Sequence, residues 1–149
     1  MPANTAFDTS GEDLAAQIEA IASSAVIGNG DTDVWVSSDR LLDVMAGLKG
    51  AGYEMLIGVT GVDYVGYFEV VYHLLSLSQN RRAIVKVKCG EGRIDPVMPS
   101  VLSVWRGAEL QEREVHDLMG IRFEGHPNMK RILLWEGFPG HPLRKDYLG

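Results

Sequence analysis

The chain has 149 residues, 46% of them hydrophobic and 23% charged, which suits one globular domain with a core of its own. Its net charge of −6 disfavours nonspecific nucleic-acid binding, and no apolar run approaches the roughly 20 residues of a membrane-spanning helix. A single cysteine, Cys89, excludes an internal disulfide and a cysteine-rich metal or iron–sulfur site, and an acidic start with Asp8, Glu12, Asp13 and Glu19 does not read as a signal peptide.

In chain order, residues 1–9 read as loosely held. Ser10 with Asp13 three residues on resembles a capping box. Leu14, Ile18, Ile21 and Ala25 then recur at helical spacing, with Gly28-Asn29-Gly30 as the stop. Val34-Trp35-Val36 predicts a short strand. Ser37-Ser38-Asp39 predicts the cap of a second helix, which carries Leu41, Met45 and Leu48 on one face and ends at Gly50 and Gly52. Residues 53–64 predict a strand with a bulge or bend at Gly58 or Gly61. After a turn at Gly66, residues 67–78 are almost wholly apolar and predict an inner strand. Gln79-Asn80 turns into 82–89, where Ala83, Val85, Val87 and Cys89 alternate with Arg82, Lys86 and Lys88; the lysines suit a solvent-facing or edge position. Pro96 and Pro99 break the pattern, a turn of helix is expected at 100–105, and a third helix spans 108–119 up to Gly120. The order α-β-α-β-β-β-α predicts an α+β two-layer domain over residues 1–119, followed by an extended tail over 120–149.

Charge separates the two parts. Residues 1–104 hold 7 Lys and Arg against 13 Asp and Glu, whereas 105–149 hold 7 of each. On a helical wheel of 108–119, Leu110, Val115, Leu118 and Met119 form an apolar arc, and Glu109, Arg113 and Asp117 stack along its flank. Glu114 falls inside that arc, where a carboxylate needs a partner. The expectation is that Glu114 anchors the tail by accepting from Arg131 or Arg144.

His116, His126 and His141 are three imidazoles, but two of them sit in Gly-His-Pro turns, at 125–127 and 140–142. Hydrogen bonds to backbone are expected there rather than a metal site. No nucleophile motif, dinucleotide fingerprint or phosphate loop is present, so catalysis by Glu114, Asp117 and His116 has little support. The tail mixes Trp135, Phe138, Leu143 and Tyr147 with Arg144 and Lys145, a composition typical of interface centres.

The ordered set Glu112, Arg113, Glu114, Asp117, Gly120, Phe123, His126, Pro127, Arg131, Gly140, His141, Pro142, Arg144, Lys145, Asp146 and Tyr147 resembles the signature of the thirty-kilodalton subunit family of respiratory complex I, the proton-pumping NADH:quinone oxidoreductase. His116 departs from that pattern, standing where Tyr is common. The resemblance implies an α+β fold with a mixed sheet and a non-catalytic subunit of the hydrophilic arm, peripheral on the cytoplasmic side of the membrane. It implies the hydrogenase-like, forty-nine-kilodalton-type subunit and other hydrophilic-arm subunits as partners, with the tail and the residues just named as the interface. No cofactor would be bound by this chain; NADH, flavin, Fe–S clusters and quinone would be used by other subunits. Related subunits serve membrane-bound hydrogenases, F420H2 dehydrogenase and ferredoxin-dependent complexes, and the sequence does not separate these.

Overall fold

A computed structural model describes residues 6–90 and 92–148. Helix α1 (Gly11–Ile21) starts where Ser10 Oγ accepts from the Asp13 amide at 3.1 Å, and it buries Leu14 and Ile18 completely. It stops well before Gly28. The Glu19 carboxylate accepts from the Ser24 amide at 3.0 Å and the Val26 amide at 3.1 Å, and Ser24 takes φ +68°, which turns the chain out of the helix. Gly28 and Asn29 therefore lie in strand β2 (Val26–Asn29), not in a helix stop.

Strand β2 pairs antiparallel with β3 (Asp33–Val36). A 3-10 turn over Ser38–Arg40 leads into α2 (Leu41–Gly50), which buries Leu41, Val44, Met45 and Leu48. No side chain of 37–39 caps this helix. Arg40 instead ties its start to the end of α1 by donating to the Ser23 carbonyl at 2.9 Å.

Strands β4 (Met55–Asp63), β5 (Phe68–Ser76) and β6 (Arg81–Cys89) form an antiparallel meander, and the register slips between Leu56 and Gly58, one of the two glycines at which a bulge is expected. The sheet order is β2-β3-β6-β5-β4, with β3 parallel to β6, so the sheet is mixed. Strand β6 is thus central rather than an edge. Its lysines are tolerated because they project from the open face, where Lys86 pairs with Asp33 at 2.9 Å and covers the Trp35 ring. Residues 1–5 of the stretch expected to be loose lie outside the described residues. Within the rest, Phe7–Asp8 forms β1, parallel to Arg81 and Arg82 of β6, because Asp8 pairs with Arg82 at 3.1 Å and the Phe7 and Thr9 amides bond to carbonyls of Asn80 and Arg82.

The opposite face carries the core. Phe68, Val70, Tyr72, Leu74, Ala83, Val85 and Val87 pack there against α1, α2 and the last helix, α3 (Ala108–Met119). The expected turn of helix at 100–105 is a set of turns. Strands β7 (Val97–Pro99) and β8 (Arg122–Glu124) pair in parallel as a small second sheet on either side of α3. The whole is an α+β fold with helices on one sheet face.

Candidate partner-docking surface

Helix α3 organises this surface. At about 100° per residue, Ala108, Glu112, Val115 and Met119 share one face, and all four are buried in the core. The apolar arc read from the sequence is therefore rotated: Leu110 is 53% exposed and Glu114 is exposed. Glu114 pairs with neither Arg131 nor Arg144, which corrects the expected anchor. The buried carboxylates of this helix are Glu112 and Asp117.

Glu112 faces inward. Its Oε1 accepts from Ser100 Oγ at 2.6 Å and its Oε2 from the Val101 amide at 2.9 Å, fixing the segment that links β7 to α3. Burial raises its pKa, opposed by those two hydrogen bonds.

Asp117 faces the tail. Its Oδ1 accepts from Arg131 Nη1 at 2.8 Å. Its Oδ2 accepts from three consecutive amides, Ile132 at 3.2 Å, Leu133 at 2.7 Å and Leu134 at 2.9 Å. Burial pushes the carboxyl up, but these donors outweigh it and hold the pKa below the usual aspartate value. Arg131 also donates to the Asp117 carbonyl at 3.0 Å and the Gly140 carbonyl at 2.7 Å, so one guanidinium joins helix, mid-tail and the second Gly-His-Pro turn.

The other residues of the motif follow the same plan. Arg113 donates to the carbonyls of Lys130 at 3.1 Å and Arg131 at 3.0 Å. All three imidazoles bond backbone carbonyls: His116 to Ile121 at 2.9 Å, His126 to Glu109 at 2.9 Å and His141 to Asp117 at 3.0 Å. The pKa of His141 is lowered by burial and by the nearby Arg144 and Arg131 charges. Phe123 is in the core, whereas Pro127 is exposed and Pro142 half-buried. Gly120 closes α3 at φ +78°, and a Cβ there would lie 2.6 Å from both Arg144 Nη2 and His141 Cδ2.

The end of the tail is tied to the sheet by residues the motif did not contain. Asp63, buried at the end of β4, accepts from both terminal guanidinium nitrogens of Arg93, Nη1 and Nη2, and from the Lys145 amide at 2.9 Å. Arg93 above all, helped by the Lys145 and Val65 amides, holds Asp63 far below the usual carboxylate range. Arg93 reaches on to Asp146 at 3.1 Å. The guanidiniums of Arg93 and Arg144 lie 4.6 and 4.9 Å from the Phe68 ring centre, and Arg144 donates to the Met119 carbonyl at 2.6 Å. Asp63 stands just before a Gly-containing turn, a usual place for an aspartate, so nothing in its spacing marked it. Tyr147 stacks on Phe138 at 6.5 Å, and Phe138 meets Trp135 edge-on at 5.7 Å.

The outcome is a fixed ridge with its apolar side chains outward. Leu133 and Leu143 are each 59% exposed and Trp135 63%. A ridge of that kind offers an interface its hydrophobic anchors.

Residues 34–149 match the family described as respiratory-chain NADH dehydrogenase, 30 Kd subunit. The chain belongs to that family. The C subunit of NADH-quinone oxidoreductase from Azorhizobium caulinodans is 40% identical over 95% of this chain and 70% of its own length; that from Roseiflexus castenholzii is 42% identical over 88% and 80%. Among solved structures, this family member resembles a chain of the archaeal membrane-bound sulfane sulfur reductase, a respiratory membrane complex, with TM-score 0.78 and 27% identity over 91% of this chain and 84% of that one. It also resembles the trypsin-resistant fragment of Nqo5, with TM-score 0.64 and 34% identity over 78% of this chain and 97% of the fragment.

Proposed function

We propose that this chain is a non-catalytic subunit of the hydrophilic arm of a proton-pumping NADH:quinone oxidoreductase. It docks on the hydrogenase-like subunit of that arm and supports electron transfer from NADH to quinone without binding flavin, Fe–S cluster or quinone itself. The names of its relatives support the complex. One observation supports the docking role: the polar side chains of the motif, Asp117, Arg131, Arg113 and His141, bond backbone of the tail and of the helix end beneath it, so Leu133, Trp135 and Leu143 are left to face outward. A tail held this way enters an interface without the ordering cost a loose segment would meet. No helix among the described residues is long and apolar enough to cross a membrane, which fits peripheral attachment, on the cytoplasmic side in this reading.

The likeness to the sulfane sulfur reductase chain favours a second reading, the equivalent subunit of a related membrane complex such as a hydrogenase, F420H2 or ferredoxin-dependent one. Capture of the tagged chain from gently solubilised native membranes, with partners identified by mass spectrometry, tests both. A hydrogenase-like subunit together with NADH- and quinone-reacting partners is expected. Partners of an active hydrogenase would select the second reading, and a chain recovered with no partner would refute both.

A further inference from the structure

Strand β4 is the outer strand of the main sheet, nine residues long, and its sequence from Met55 to Val62 has no charge and no proline. Natural edge strands are normally blunted by lysine, proline, shortness, a bulge or a covering element, because bare amides and carbonyls recruit another strand. The bulge of β4 lies near its start, between Leu56 and Gly58, and pairing is regular from there to Asp63. Here the Leu56 carbonyl is met by Gln111 Nε2 at 3.3 Å, and among the described residues nothing bonds the outer edge from Ile57 to Val62. Beside this edge runs a groove of about 160 Å³ between β4 and α3. Val59, Val115, Leu118, Met119 and Leu143 line it. Gly61 lets the helix come that close: a Cβ there would stand 3.0 Å from Met119 Cγ and 3.1 Å from Val115 Cγ1. The groove wall holds one charged side chain, Glu114, which is exposed and has no partner among the described residues.

An open strand edge next to an apolar groove is what strand addition requires: main-chain bonds for affinity, a groove for alternate side chains for selectivity. We propose that an extended segment of a partner protein adds to the outer edge of β4, seats an apolar side chain in this groove and sets a lysine or arginine against Glu114. Charge complementarity selects this occupant over a second copy of the chain, which brings a further net charge of −6 and a second Glu114 to the same edge. The inference rests on the docking role proposed above and assigns it a second contact, which adjoins the apolar ridge of the tail at Leu143, a residue of both.

The test compares amide hydrogen exchange in the purified chain with that in the captured native complex, and capture by wild type with capture by Glu114→Gln and Glu114→Lys. Exchange over residues 55–63 is expected to slow about ten-fold or more in the complex. Glu114→Lys is expected to lower partner recovery about ten-fold, with Glu114→Gln between it and wild type. Both variants alter an exposed side chain, and an unchanged thermal midpoint of the free chain confirms their folding. Recovery of the partner with unslowed exchange at 55–63 overturns the strand addition while leaving the docking role intact. Undiminished recovery by Glu114→Lys overturns the basic contact. A free chain that is already a dimer with β4 protected overturns the choice of occupant. Failure to capture any partner defeats the docking role itself.

Discussion

Asp117→Asn is the sharpest test of how the tail is held. The substitution keeps size and shape but turns one acceptor oxygen into an NH2 donor. In one orientation that donor faces the amides of Ile132, Leu133 and Leu134; in the other it faces Arg131 Nη1. Either way a buried donor meets donors, and charge-assisted bonds, each contributing about 1.5–3 kcal/mol, are lost or weakened. Removing one member of a buried pair costs about 3–5 kcal/mol. Arg131 is 16% exposed at its side chain and recovers some hydration, so the lower end, about 3 kcal/mol, is expected here. That energy holds the tail, while the sheet and α1–α2 layer lie elsewhere, so the loss is local. Hydrogen exchange of peptides over 130–147 is expected to accelerate by roughly a hundred-fold, with residues 68–89 much less affected. Tail exchange within two-fold of wild type would refute the idea that this carboxylate is the fastener.

Three further outcomes follow from the same contacts. Gly120→Ala forces a Cβ into the left-handed region against Arg144 and His141, and should cost about 1–3 kcal/mol in urea unfolding. Glu112→Gln retains an acceptor for the Val101 amide and should change stability by about 1 kcal/mol, whereas Glu112→Ala strands that amide in the core and should cost about 3 kcal/mol; equal effects would contradict the bonding described. Asp63 and Asp117 both have folded pKa values below their unfolded ones. Their contribution is therefore complete above the unfolded value near 3.9 and is lost as pH falls through and below it; proteolysis of the tail measured between pH 6 and pH 3 should rise only in the lower part of that range.

Period-based reading recovered α3 to the residue, because Gly120 supplies an unambiguous left-handed stop, and recovered β4, β5 and β6, because nine-residue strands carry enough pattern. Among the short strands, β3 is legible from its Val34-Trp35-Val36 run, whereas β1, β2, β7 and β8, each of two to four residues, carry no such run and take their conformation from pairing to a neighbour. Gly28-Asn29-Gly30 looked like a helix stop because glycine and asparagine usually serve as one. The actual stop is the Glu19 carboxylate reaching two amides ahead of it, a bond invisible to composition.

The error over Glu114 has a more general cause. A single wheel assumes one buried face and one wet face, but α3 has three surroundings. Ala108, Glu112, Val115 and Met119 meet the core; Arg113 and Asp117 meet the tail; Glu114 and Leu118 border the open groove, and Leu110 is exposed. Because the tail contributes backbone amides and carbonyls, the helix face beneath it had to be polar, so it read as the solvated side. An arc drawn on the wheel through Leu110, Val115, Leu118 and Met119 encloses Glu114, although only Val115 and Met119 of those four are buried. The motif residues were legible as a set through the resemblance of their ordered spacing to the family signature. Which carboxylate each arginine took was not, because that depends on the path of residues 120–148 back across the helix. Asp63 shows the same limit: its partners are Arg93, 30 residues on, and the Lys145 amide that the returning chain sets against it, 82 residues away in sequence.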